Sequence, residues 1–342
     1  SDGDPSQHHR DPVFATMRCL GCAAKASHTV LANALEDAVS LAVSNGANPD
    51  LMPEAGIETD AAIMESPPAG HRLVQSVDVL SEIVSDPFML GRIAAVHALS
   101  DLFAVLATPT SALAIINLPE ANLSIQTNQL MQILAGGLIA LSEAGVKLTG
   151  GHTSEGGALS VGFSVTGHIK QKPPVVPVNA ASGDDLVLVL TKPLGTGVIM
   201  AGHMQLLAKA QWVDDAIRQM AVSNQQAANH FLKNGVLGAT DITGFGLARH
   251  AQNLSLRLGA RGCRLDLLSL PLLDGASTLL SSGIRSSLHE QNRAAVQIDA
   301  SYLEDVGGTQ FDAHIEMLFD PQTSGGSRGV FPRDNANSLV AT

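Results

Sequence analysis

The stretch KPPVVPVNAAS, residues 172–182, constrains this 342-residue chain more than any other. Three prolines and a run of small residues interrupt the strand-like and helix-like patterning on both sides, which places a domain boundary there. Each flank is then roughly 150–180 residues, a length that one hydrophobic core can serve. The expected division is a flexible leader or linker over 1–18, a first domain over 19–172 and a second over 183–342. The chain opens on Ser1, its first residues SDGDPSQHHRDP resemble no signal peptide, and its end NSLVAT is abrupt. A processed chain or a piece of a longer protein is therefore expected, with the second domain truncated at its end.

Periodicity supplies the elements. Ser27–Leu41 reads as a helix, and HRLVQSVDVL alternates as a strand with Asp78 near its end. Asp86-Pro87 reads as an N-cap followed by proline at the first helical position, opening the helix FMLGRIAAVHALSDLFAVL. Ser111–Leu118 is a short apolar strand, Gln126–Ala144 an amphipathic helix stopped by Gly145, and Leu159–Val165 a strand. Val146–Leu148 leads into GGHTSEGG, read as a glycine loop. The second half restarts with DDLVLVLTKPLGTGV, a buried strand entering a Gly-rich turn, and carries GATDITGFGLARH and FDPQTSGG. Apolar residues make up 45% and aromatics 3%, so Ala, Val, Leu and Ile fill the cores, as suits a soluble enzyme of mixed helix and sheet.

Charge and cysteine usage narrow the function. A formal net charge of −12 argues against a nucleic-acid partner, which needs a basic footprint. It leaves nucleotides open, because magnesium neutralises phosphates locally. No apolar run reaches the roughly 18 residues of a membrane span. The three cysteines (Cys19, Cys22 and Cys263) are too few for a disulfide scaffold, so a reducing, cytoplasmic setting is expected.

Four aspartates stand in small or apolar settings: Asp60 before AAI, Asp78 in QSVDVL, Asp101 within an Ala/Val/Leu helix and Asp241 in GATDITGFG. Burying a carboxylate is costly unless it is paired or binds a metal. One such residue is ordinarily structural; four suggest hard oxygen ligands for Mg²⁺, which in turn suits polyphosphate. Gly150–Gly157 and the LGTG turn at Gly195–Gly197 would let backbone N–H groups approach phosphate. No GxxxxGK[ST] pattern exists, which excludes a P-loop. In RCLGCAAKA, Lys25 follows Cys22 by three residues, and a nearby cation raises the thiolate fraction of a cysteine. An idle leader cysteine, or zinc bound by Cys19 and Cys22 with His8 or His9, are the alternatives.

The linked set GCAAK, TDAAI, QSVDVLSEIVSDPFMLGRIAAVHALSDLFAV, LTGGHTSEGG, LTKPLGTGV, TDITGFGLARH and DPQTSGG resembles, in order, the blocks of the selenophosphate synthetases (selenide, water dikinases). The resemblance covers roughly residues 19–330, and that family sits in the wider group of aminoimidazole-ribonucleotide-synthetase-like enzymes. It implies an α+β fold of two domains: an N-terminal ATP/Mg-binding dimerisation domain whose mixed sheet forms a barrel across a homodimer, and a C-terminal α/β sandwich. It implies a reaction taking selenide, ATP and water to selenophosphate, phosphate and AMP. By motif, Cys22 is the implied catalytic thiol and Lys25 the amine near the phosphates. Asp60, Asp101 and Asp241 are the implied Mg²⁺ ligands. Asp78 and Asp101 are the implied nucleotide contacts, with Gly151, His152 and Thr153 as the implied stretch that reaches ATP across the dimer. Selenide would come free, or from a fused or separate flavin oxidoreductase or selenium-delivery protein; GIRSSLH at Gly283–His289 resembles the wording of fused relatives. Departures are Thr59 where the first motif usually has a second acid, His97 where Asn is common, and FAVLATP after Asp101. Two other readings stay open: a different ATP-dependent synthetase or kinase of the group, and a non-catalytic assembly or regulatory module.

Overall fold

A computed structural model describes residues 26–53, 60–170, 186–260, 262–298 and 309–333. Helix α1 (His28–Ser44) is followed by β1 (His71–Ser81), α2 (Pro87–Ala104), β2 (Thr108–Pro119), α3 (Leu123–Glu143), β3 (Lys147–Gly156) and β4 (Ser160–Lys170). The strands form one mixed sheet in the order β1-β4-β2-β3. β4 is antiparallel to both of its neighbours, while β2 and β3 run parallel, joined by the crossover helix α3. The chain continues through β5 (Leu186–Leu190), α4 (Thr196–Met204), α5 (Ala210–Met220), α6 (Gln225–Lys233), β6 (Gly238–Asp241) and α7 (Gly246–Arg257). It closes with α8 (Ala276–Ser281), α9 (His289–Ala294), α10 (Thr309–Met317) and β7 (Ser327–Pro332). Here β7 is the centre of an antiparallel sheet, β5-β7-β6. The architecture is α+β, two sheets each with its own helices, and none of the described helices is long and apolar enough to cross a membrane.

Local signals act as read. The Asp86 carboxylate accepts from the amides of Phe88 and Met89, with Pro87 at the start of α2. Ser27 caps α1 through the Val30 amide, and Gly145 leaves α3 at φ 75°. α2 is apolar on every side, because it lies between the first sheet, α3 and the strands β6 and β7. Gly91 and Gly136 let α2 and α3 touch; a Cβ on either would collide with the carbonyl oxygen of Ile133 or Phe88.

Two expectations change. GGHTSEGG is strand rather than loop: it forms most of β3, paired with β2 from Leu113↔Gly150 to Pro119↔Gly156 after a bulge at Thr149. A Cβ at Gly151 would collide with the Ala114 carbonyl oxygen, so this glycine serves close strand approach. β5, expected to be buried, is half-buried along its whole length.

Candidate functional site

β1 alternates against expectation for a surface strand. Val74, Ser76, Asp78 and Leu80 turn toward the helical layer, while Leu73, Val77 and Val79 are exposed on the other face. Ser76 and Asp78 thereby meet Asp101, one helical turn after His97 on α2. The Ser76 hydroxyl donates to Asp101 Oδ2 at 2.5 Å. Asp78 shares a hydrogen bond with Asp101, and its carboxyl is pushed up to about 7 by burial, then by the Asp101 charge and that bond, with a further push from Asp241.

Asp241 ends β6 and is buried. Its carboxyl is raised by burial and by the Asp101 charge, against the pull of a hydrogen bond from Ser100 Oγ at 2.8 Å and the charge of Arg328. Three carboxylates from two sheets and the helix between them thus converge, and the Asp101 charge makes ionisation of Asp78 and Asp241 costlier. The site is a negative pocket suited to a hard cation, and the clustering needs the α2–β6 contact to exist.

A ring of buried polar residues fixes this arrangement. Asn224 donates to Ser100 Oγ at 2.9 Å and to the Gly325 carbonyl at 2.9 Å. His97 Nδ1 accepts from the Ser324 amide at 3.1 Å, and burial lowers its pKa, opposed by Asp101. Lys192, from the LTKPLGTG segment, donates to the carbonyls of Val222 at 2.5 Å and Ser324 at 2.9 Å. Burial lowers the Lys192 ammonium to about 7, with Asp241 pulling the other way. The DPQTSGG loop also caps α4, which has no side-chain cap of its own. Gln322 Oε1 accepts from the amides of Gly195 and Thr196, and Asp320 is hydrogen-bonded by the amides of Gly197 and Val198. Full burial pushes Asp320 up to about 7.

The sequence-predicted residues divide into three groups. Asp78, Asp101 and Asp241 converge. Asp60 is exposed and is not among the charges acting on Asp78 or Asp241, so its expected costly burial does not occur. Among the described residues no three metal-ligating side chains stand close enough to hold an ion. Gly151, His152 and Thr153 lie on β3, an edge strand of its sheet, where the Thr153 carbonyl accepts from the Ala26 amide at 3.1 Å. Cys19, Cys22, Lys25 and Thr59 lie outside the described residues; Ala26, next after Lys25 in the chain, is pinned to β3. Cys263 is exposed.

Sequence reasoning passed over Ser76, Ser100, Lys192, Asn224 and Arg328. Arg328 is fully buried in β7 and donates to the Leu247 carbonyl at 3.0 Å, while burial lowers its guanidinium to about 10. A usable signal was present for two of these: Lys192 and Arg328 are cations inside the segments LVLVLTKPLG and GGSRGVF, where solvent is scarce.

Two family descriptions match the chain: AIR synthase related protein, N-terminal domain, over residues 58–169, and AIR synthase related protein, C-terminal domain, over 182–305. A selenide, water dikinase from Geobacter metallireducens is 37% identical over 314 residues, covering 92% of this chain and 87% of that protein. Another from Citrifermentans bemidjiense is 34% identical over 330 residues, covering 95% and 90%. A solved thiamine-monophosphate kinase from Stenotrophomonas maltophilia matches with a TM-score of 0.63 at 18% identity, over 90% of this chain and 88% of that one. Hydrogenase maturation protein HypE in complex with ATP matches with a TM-score of 0.59 at 18% identity, over 94% and 82%. At such identities these two structures establish a shared fold and nothing about chemistry.

Proposed function

The chain belongs to the selenide, water dikinase family, and from that premise we propose which of its residues bind and which react. The protein is an ATP-dependent phosphotransferase that makes selenophosphate, with phosphate and AMP as the other products of selenide, ATP and water. The observation that carries the assignment of the site is the convergence of Asp78, Asp101 and Asp241 from β1, α2 and β6.

Mg²⁺ fits this donor set. The Asp101 charge raises the carboxyls of Asp78 and Asp241, and a dication would offset the repulsion that burial magnifies. We assign Asp101 and Asp241 to the ion, with Asp60 as the third ligand by motif. When bound, Mg²⁺ neutralises polyphosphate charge. The Asp78 carboxyl, held at about 7 beside Asp101, would lose its proton more readily once a cation is bound. Ser76 and Ser100 orient one oxygen each of Asp101 and Asp241. Asp78 would contact the nucleotide, and the Gly151–Thr153 stretch would reach it across the dimer. Cys22 would guide selenide and Lys25 would lie near the phosphates; the Ala26–Thr153 bond supports this by leading the chain from Lys25 onto β3. Selenide at neutral pH is an anion, so it needs guiding more than activation.

We also propose a homodimer built on the outward face of the first sheet. Leu73, Val77 and Val79 on β1 and Leu113 on β2 are exposed there, between 38% and 60%, on a face that no described helix covers. Sedimentation should give a dimer at micromolar concentration and a monomer for Val77→Asp.

The reaction is tested by phosphorus NMR of ATP, Mg²⁺ and selenide with the full chain, following AMP and selenophosphate. Cys22→Ser should bind Mg-ATP as tightly as the parent yet make no selenophosphate, Lys25→Ala should also lose product, and Cys19→Ser should keep most activity. Full activity in both serine variants would sink the thiol assignment.

A further inference from the structure

A cleft of about 520 Å³ opens between the two sheets, walled by Ser76 of β1, Asp101 of α2, Thr240 and Asp241 of β6, and Arg257 at the end of α7. Arg257 is the one cation in its lining. The side chain is exposed, and it has no hydrogen-bond or ion-pair partner among the described residues. An arginine bordering a cleft with two carboxylates would ordinarily close onto one of them. Here Asp101 and Asp241 are turned to Ser76 and Ser100 instead, which leaves the guanidinium free to take a ligand.

The shape of that ligand follows from the walls. No aromatic ring lines the cleft, so nothing in it stacks on a purine. The lining offers carboxylates that suit a cation and, at Arg257, a fork of N–H donors that matches two oxygens of a phosphate-like group. A small tetrahedral oxyanion satisfies both at once, meeting a carboxylate-held cation and the arginine together.

We propose that Arg257 holds a tetrahedral oxyanion product, orthophosphate or selenophosphate, in this cleft that Asp101 and Asp241 also line. The assignment rests on the reaction proposed above, which releases both anions. It places Arg257 in binding and release of product.

The test is calorimetric titration of the full chain in Mg²⁺ with orthophosphate and, separately, with thiophosphate as an unreactive stand-in for selenophosphate. The parent should bind at least one of them. Arg257→Gln should weaken that binding about tenfold and Arg257→Lys by less, because lysine keeps the charge and loses the fork. Mg-ATP affinity should move less than about twofold in both variants, since uniform binding of the nucleotide does not pass through this residue. A loss for both anions assigns the site to their shared chemistry, and a loss for one assigns it to that product; either outcome upholds the proposal. Anion binding unchanged in Arg257→Gln, no anion binding by the parent, or an equal loss of Mg-ATP affinity would overturn it. If the parent makes no selenophosphate while Arg257→Gln still loses phosphate, the reaction assignment fails and the anion site stands.

Discussion

The Ser100 hydroxyl on α2 donates to the Asp241 carboxylate on β6 at 2.8 Å, tying a helix of the first unit to a strand of the second at the functional carboxylate itself. Both residues are buried, and Asn224 donates to the same hydroxyl. Ser100→Ala removes a donor from Asp241 and an acceptor from Asn224 together. It should cost about 1–3 kcal/mol in urea unfolding, because both partners stay buried and each loses a hydrogen bond. A loss below about 0.5 kcal/mol would mean the two units are held elsewhere.

Asp101→Asn and Asp241→Asn should each abolish Mg²⁺-dependent ATP turnover and the rise in Tm that Mg²⁺ gives the parent. Asp101→Asn should also make the metal-free protein about 1 kcal/mol more stable, since it removes the charge that raises the carboxyls of Asp78 and Asp241. Asp60 is exposed, so Asp60→Asn should leave metal-free stability within about 0.5 kcal/mol while removing the Mg²⁺ response. Two variants with normal turnover at moderate Mg²⁺ would defeat the metal assignment.

The pH dependence of stability should have two limbs of opposite sign. Asp78 is held at about 7, up from 3.8, so between those values the native state keeps a proton that the unfolded chain has lost. Its contribution is full below pH 3.8 and declines as pH rises to about 7. Lys192 is held at about 7, down from 10.5, so in that window the unfolded chain carries the extra proton and stability rises with pH. Tm against pH in a chelator should therefore fall less steeply in Asp78→Asn, the rest of the falling limb coming from the raised carboxyls of Asp320 and Asp241. In Lys192→Met it should lose its rising limb and start lower, because the carbonyls of Val222 and Ser324 lose their donor.

Within the GGHTSEGG segment two glycines should behave differently. Gly151→Ala drives a Cβ into the Ala114 carbonyl and should cost about 2 kcal/mol or more. Gly157 has nothing within 4 Å of a built Cβ, so Gly157→Ala should stay within about 0.5 kcal/mol. Equal effects in thermal unfolding would return this segment to a loop.

Much of the site was legible from residue type alone. Asp78, Asp101 and Asp241 stand out because carboxylates in apolar runs are costly, and the structure brings them together. Asp60 carried the same signal and proved exposed, since TDAAI looks apolar locally yet packs against no core there. Ser76 and Ser100 carried no signal, because a serine in a strand or helix is neutral until its partner is known.

By itself the sequence determined the local elements: Asp86-Pro87 opens α2, Gly145 ends α3, and alternation marks β1. Those outcomes depend on contacts within a few residues, where capping and periodicity act. Tertiary structure alone decided that GGHTSEGG is a strand, that the polar side of β1 faces the helices, and that Lys192 and Arg328 are buried. It also decided that Ser100 reaches Asp241, 141 residues away. Such pairings come from burying α2 between two sheets at once, and a sum over a whole surface leaves no trace in the spacing of any one segment.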